Sequence, residues 1–173
     1  MVRELDTIDA RTLLEEPFEA PRWVVEGLLP TGINIIAGSP KVGKSWLALD
    51  LATHVASGDA FWGMATRRCG VLYLCLEDTY PRVQRRLWHL VDEVEGELSI
   101  AVSANSIPDG LTEQMGAFAA AHPGLGLVIV DTLQMVRRPT RDSAYASDYG
   151  DVAALKRFAD EAGVALVAIH HTR

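Results

Sequence analysis

Gly38-Ser39-Pro40-Lys41-Val42-Gly43-Lys44-Ser45 fits the pattern G-x-x-x-x-G-K-[ST], and the residues on either side of it decide the fold. An apolar run from Ile33 to Ala37 enters the motif as a strand, and Trp46 to Ala56 leaves it with helical spacing. The order is therefore strand, loop, helix. Glycines at 38 and 43 are expected to permit backbone torsions that a side chain would block, so that successive N–H groups turn inward as a nest for phosphate oxygens. Lys44 adds a positive charge, the helix start adds its unpaired N–H groups, and the Ser45 hydroxyl is available to a magnesium ion. An ordinary glycine-rich turn is the competing reading, and the flanking pattern disfavours it.

Working outward, the chain alternates strands and helices. Gly70 to Glu77 is a near-continuous apolar run that ends in two acids, as expected of a strand covered on both faces. Pro81 to Val91 follows with helical spacing and carries Arg82, Arg85 and Arg86 on a side expected to be exposed. Leu98 to Ala104 reads as a weaker strand, Leu111 to Ala121 as a helix, and Leu125 to Val130 as a buried strand ending at Asp131. Arg137 to Ser143 has loop composition. Ala144 to Ala162 supports a helix with Leu155 and Phe158 facing inward, closed by Gly163, and Val164 to Ile169 is the last strand, running into His170-His171-Thr172-Arg173. Residues 1 to 22 are a lead-in in which Pro17 and Pro21 break any long helix, and Trp23 is expected to be a buried anchor beside Val24 and Val25.

This alternation predicts an α/β fold with a mostly parallel central sheet, whose ligands collect beyond the C-terminal ends of the strands. Bulk properties agree with one globular domain: 173 residues, 49% of them hydrophobic. A net charge of −7 weighs mildly against nucleic acid as a partner without excluding a local basic surface. Cys69 and Cys75 cannot make a four-ligand zinc set and read as structural. The first sixteen residues hold no continuous apolar stretch, and nowhere do eighteen uncharged apolar residues run together, so neither a secretory signal nor a membrane span is expected and the cytoplasm is the simplest location.

The strand-end rule gathers the phosphate loop, Glu77-Asp78, Asp131 and His170-His171 on one edge. Asp131, closing an apolar strand, is the pattern of a carboxylate that holds magnesium opposite Ser45. Hydrolysis also needs a group that orients water, and the residue after Asp131 is Thr132 rather than Glu. Glu77 is the best candidate and Asp78 the fallback, with two merely solvated acids as the bland alternative. Thr132 and Gln134 receive no assignable role. The two histidines project to opposite sides if the strand continues through them, so one can report on the γ-phosphate while the other is satisfied by the fold. Arginines 137, 138 and 141 could touch nucleic-acid phosphates, but no aromatic is interleaved, so base stacking has no support there; Tyr145 and Tyr149 read as packing residues.

With these residues placed, the chain resembles the RecA-like P-loop ATPases, and within them the RepA-type plasmid replicative helicases. The stretches that carry the likeness are GSPKVGKSWLALDLA at 38 to 52, VLYLCLED at 71 to 78, LVIVDTLQMVR at 127 to 137 and SDYGDVAALKRFADEAGVALVAIHHTR at 147 to 173. The resemblance implies a RecA-like three-layer sandwich and an ATPase that works as a hexameric ring on single-stranded DNA, with ATP and Mg2+ between neighbours. It implies nucleotide contacts from Gly38, Ser39, Pro40, Lys41, Val42, Gly43, Lys44, Ser45, Trp46 and Arg86, a metal held by Ser45 and Asp131, and catalytic roles for Glu77, Lys44 and His171. His171 would be the γ-phosphate switch. A DNA helicase of plasmid or phage replication follows; the alternative is a nucleotide-gated assembly or regulatory ATPase that does not move along DNA. A small-molecule kinase is poorly served, since no lid or acceptor pocket is visible. Relatives continue past HHTR with further strands that flank the phosphate-loop strand and with basic residues that reach the neighbour's nucleotide. Residues 1 to 173 are therefore expected to be a single domain lacking those C-terminal strands and the arginine finger, with Ile33 to Ala37 on an open edge unless the N-terminal segment covers it.

Overall fold

The apolar runs become the strands of one parallel sheet, and the amphipathic segments between them become its two covering layers. The computed structural model describes residues 5–18, 20–137 and 144–172, with side chains left aside over 144–149. In chain order the elements are α1 (Ala10–Glu15), β1 (Trp23–Val25), β2 (Leu29–Pro30), β3 (Gly32–Gly38), α2 (Lys44–Ser57), β4 (Gly70–Cys75), α3 (Tyr80–Leu90), β5 (Leu98–Ala101), a 3-10 turn (Ile107–Asp109), α4 (Leu111–Ala121), β6 (Leu125–Asp131), α5 (Leu133–Val136), α6 (Ala144–Ala162) and β7 (Ala165–His171). β3, β7, β6, β4 and β5 form the sheet in that order, every neighbouring pair parallel. β1 and β2 make a separate antiparallel hairpin.

Side chains alternate across each strand, and this splits the interior into two cores. On one face Val71, Tyr73, Cys75, Leu127, Ile129, Val167 and Ile169 pack with α2, the β1–β2 hairpin and Val83 of α3. On the other, Leu72, Leu74, Val128, Val130, Leu166 and Ala168 pack with Leu111 and Met115 of α4 and with Leu155, Phe158 and Ala159 of α6. The result is three layers, as expected. Leu155 and Phe158 do face inward, and Gly163, at φ +64°, ends α6 in the left-handed conformation that glycine accepts readily. Among the described residues no helix is long and apolar enough to cross a membrane.

Several boundaries differ from expectation. β4 stops at Cys75 because the chain turns there: Leu76 still donates to the Asp131 carbonyl at 2.7 Å, and then the Asp78 N–H folds back to the Cys75 carbonyl at 3.2 Å. β5 ends at Ala101, having only Val71 to Leu74 of β4 to pair with. β7 extends through both histidines because β3 continues beside it, pairing Ala37 with His170 and Gly38 with His171. Trp23 is only half-buried; Val24 and Val25, both fully covered, are the hairpin's anchors.

β3 lies at the end of the strand order and, among the described residues, pairs with β7 alone. Ile35 on it is 54% exposed. The described N-terminal residues do not pair with this edge.

Candidate active site

The parallel register carries every element of the site to one end of the sheet. α2 begins at Lys44, two residues earlier than its apolar spacing suggests, with Gly43 as N-cap at φ +96°. Gly43 supplies the left-handed turn that the expected nest requires, but Gly38 does not. Its φ lies outside the positive region, and a Cβ there would meet only ordinary contacts, Val42 Cγ2 at 3.6 Å and Lys44 Cδ at 3.7 Å. The loop's second positive φ belongs instead to Lys41, at +65°.

Lys44 is 7% exposed, and its Nζ donates to the carbonyls of Gly38 and Ser39, each at 2.8 Å. The ammonium thus closes the loop on itself and already stands at the mouth of the nest. Ser39, Pro40, Lys41 and Val42 form the exposed rim, and Ser45 is half-buried on the first turn of α2. Trp46 is 40% exposed; the Arg86 guanidinium lies 5.6 Å from its ring and the His89 ring 6.3 Å away. Arg86 is consequently not on an exposed helix side as expected. It pairs with Asp78 at 2.6 Å, and Arg82 pairs with the same carboxylate at 3.1 Å.

That arrangement separates the two acids after β4. Asp78 is tied to two arginines and accepts from the Thr79 N–H at 2.9 Å, so both of its carboxylate oxygens are engaged. Glu77 stays exposed and accepts a 2.7 Å hydrogen bond from the Thr132 hydroxyl. β4 and β6 are neighbours with Cys75 opposite Asp131, so the fold brings Glu77 and Asp131 together from separate strands. Thr132, buried and following Asp131 through a cis peptide, therefore has a role that its place in the sequence did not disclose.

Asp131 is 4% exposed. Its Oδ2 accepts from the Tyr73 phenol at 2.8 Å, while Oδ1 is buried with no hydrogen-bond partner among the described residues. An orphaned carboxylate oxygen fits a divalent cation, and Ser45, whose carbonyl lies 3.4 Å from the same Tyr73 hydroxyl, would be the companion ligand. Tyr73 escaped notice because it sits inside an apolar run. Its one signal in the sequence was that a buried tyrosine hydroxyl needs a partner; that the partner is Asp131 depends on the register that sets Cys75 opposite Asp131. Burial and the Asp131 charge push the Tyr73 phenol far above its ordinary value, and burial pushes the Cys75 thiol up to about 11. Cys69 is raised by burial too, as expected of structural thiols.

The last strand divides its two histidines as alternation requires. His171 falls on the α2 face beside Gly38, its carbonyl accepting from Gln134 Nε2 at 3.3 Å, and the Thr172 N–H donates to the Gly38 carbonyl at 3.1 Å. His170 falls on the opposite face, with Nδ1 buried and without a partner among the described residues. Gln134, like Thr132, gains a place only through the fold. Residues 138 to 143 of the basic loop, with Arg138 and Arg141, lie outside the described residues, as do the side chains of Tyr145 and Tyr149.

A phosphate loop at the end of a five-stranded parallel sheet, with an acid on each of two neighbouring strands, defines a P-loop ATPase domain of RecA-like fold. The family described as AAA domain matches residues 2–173, and the chain belongs to it. Among curated proteins none matches. Among solved structures the ATPase domain of G40P superposes with a TM-score of 0.63 at 18% identity, covering 82% of this chain and 57% of that one. A DnaB-like replicative helicase, solved for its interactions with primase, superposes with a TM-score of 0.60 at 17% identity, covering 82% of this chain and 38% of that one. The chain thus spans little more than half, or less, of the lengths of these proteins, and at such identity the likeness is one of fold.

Proposed function

We propose that the chain is the ATP-binding and ATP-hydrolysing motor domain of a DNA helicase that works in plasmid or phage replication. The observation that carries the reading is the Thr132-held Glu77 just past the end of β4, beside Asp131 on the neighbouring strand β6 and at the same end of the sheet as the phosphate loop. A generic phosphate cradle needs no such carboxylate; a site that hydrolyses needs one to orient and deprotonate water. Lys44 exchanges its two loop carbonyls for phosphate oxygens, and the N–H groups around Gly43 and the α2 start cradle the rest. Magnesium, when bound by Ser45 and Asp131, neutralises charge on the phosphates. Trp46 and Arg86 form the shelf beside the loop on which the rest of the nucleotide rests. His171, on the strand paired with Gly38, senses the γ-phosphate and relays its state to a DNA-facing loop, the role the resemblance implies. The DnaB-like replicative helicase among the fold neighbours supports the same reading, under which the chain works as a hexameric ring with nucleotide bound between subunits.

The test is ATP turnover with and without single-stranded DNA at low salt. Stimulation by DNA is expected, with binding that weakens steeply as salt rises. Equal turnover in both conditions, with no DNA bound, would overturn the helicase assignment. The net charge of −7 favours a second reading, a nucleotide-gated assembly that oligomerises with ATP and ignores DNA, and that same outcome would support it.

A further inference from the structure

Tyr73 lies at the centre of β4 and is 1% exposed. Its phenol donates to Asp131 Oδ2 at 2.8 Å and stands 3.4 Å from the Ser45 carbonyl, so it touches both elements that carry the candidate metal groups. A phenol has one proton to donate, and the shorter contact takes it. The other carboxylate oxygen, Oδ1, is buried and has no partner among the described residues. A carboxylate left alone turns easily about its terminal torsion, because that torsion is broad and roughly two-fold. One fixed hydrogen bond to Oδ2 removes this freedom and leaves Oδ1 as the oxygen on offer.

We propose that Tyr73 is a positioning residue for the metal-binding carboxylate: its hydroxyl pins Asp131 Oδ2 and so presents Oδ1 to the divalent cation, on the side of β4 where the start of α2 packs, the Ser45 carbonyl lying 3.4 Å from the same hydroxyl. The inference rests on the reading of Asp131 and Ser45 as magnesium groups. Outer hydrogen-bond partners of this kind typically govern metal affinity by roughly 10- to 100-fold. A tyrosine that merely filled the core would need only its ring, and phenylalanine would serve equally.

The experiment measures Mn2+ affinity by the electron paramagnetic resonance of free Mn2+, in the presence of a non-hydrolysable ATP analogue, together with affinity for a fluorescent ATP analogue in EDTA. Tyr73→Phe should weaken Mn2+ binding about 10- to 100-fold and leave metal-free nucleotide affinity within about two-fold. Unchanged Mn2+ affinity, or an equal fall in both affinities, would overturn the proposal. Asp131→Asn separates the two levels. If it leaves Mn2+ affinity intact, the magnesium reading itself falls; if it weakens Mn2+ while Tyr73→Phe does not, only the role of Tyr73 falls. Should Tyr73→Phe alone fail to fold, the pair Tyr73→Phe with Asp131→Asn removes the stranded charge and decides the matter. It should bind Mn2+ no more weakly than Asp131→Asn, and a further ten-fold loss would show that Tyr73 acts on the fold instead.

Discussion

Lys44, Glu77 and Thr132 make different contacts at the same end of the sheet, and under the proposed function their substitutions should separate. Lys44→Ala removes a charged donor now spent on two carbonyls, each at 2.8 Å, and should weaken ATP binding by roughly 10- to 100-fold, a loss of about 1.5–3 kcal/mol read by fluorescent-nucleotide titration. Glu77→Gln keeps the shape and the Thr132 hydrogen bond but not the basicity. ATP should still bind while turnover falls by about 10²–10⁴-fold in single-turnover assays, and an active variant would remove Glu77 from its role. Thr132→Val is nearly isosteric and frees Glu77; turnover should drop by roughly ten-fold, about 1.4 kcal/mol, with nucleotide affinity unchanged. Lys44 and Ser45 were singled out by motif spacing and Asp131 by its place at the end of an apolar strand, both local features of the sequence. Thr132 and Tyr73 were not, since their partners stand 55 and 58 positions away along the chain.

At the scale of elements, two contacts make strong demands. Gly96 passes so close to the C-terminal turn of α2 that an added Cβ would lie 2.0 Å from the Ala56 carbonyl oxygen. Backbone cannot swing aside as a side-chain tip can, so Gly96→Ala should cost about 1–3 kcal/mol, read as a lower denaturation midpoint with an unaltered denaturant slope. The open edge of β3 makes the opposite kind of demand. Ile35 is 54% exposed on a strand that, among the described residues, pairs with β7 alone, next to a groove of about 260 Å³ that reaches Leu28, Trp62 and Leu47. Ile35→Lys should raise solubility and suppress concentration-dependent association without changing nucleotide affinity, as light scattering and titration would register. Central strands were legible because residues buried on both faces must be apolar throughout. The β1–β2 hairpin was not: each strand is too short to show alternation, and the turn between them rests on Gly27 at φ +70°.

For the whole molecule, the buried acid–base groups predict how stability varies with pH. Cys75 has an ordinary value of 9.0, raised to about 11 by burial, and the Tyr73 phenol is raised as well. Between those values the folded chain holds a proton that the unfolded chain has lost. The stabilisation is therefore fully present below pH ~9 and disappears as pH rises through about 11. Thermal denaturation across this range should show a steep alkaline fall, and Cys75→Ala should make it shallower; an equally steep fall in the variant would contradict the assignment. The sequence by itself determined the parallel α/β class, the phosphate loop and the identity of the acids at the strand ends, because periodicity and motif spacing are local properties of the chain. Only the tertiary structure decided that Glu77 works with Thr132 while Asp78 is locked by Arg82 and Arg86. It also decided that Tyr73 holds Asp131, and that β3 stands at the sheet's edge. Those are questions of strand order and register, set by contacts between residues far apart in the chain, and no local pattern encodes them.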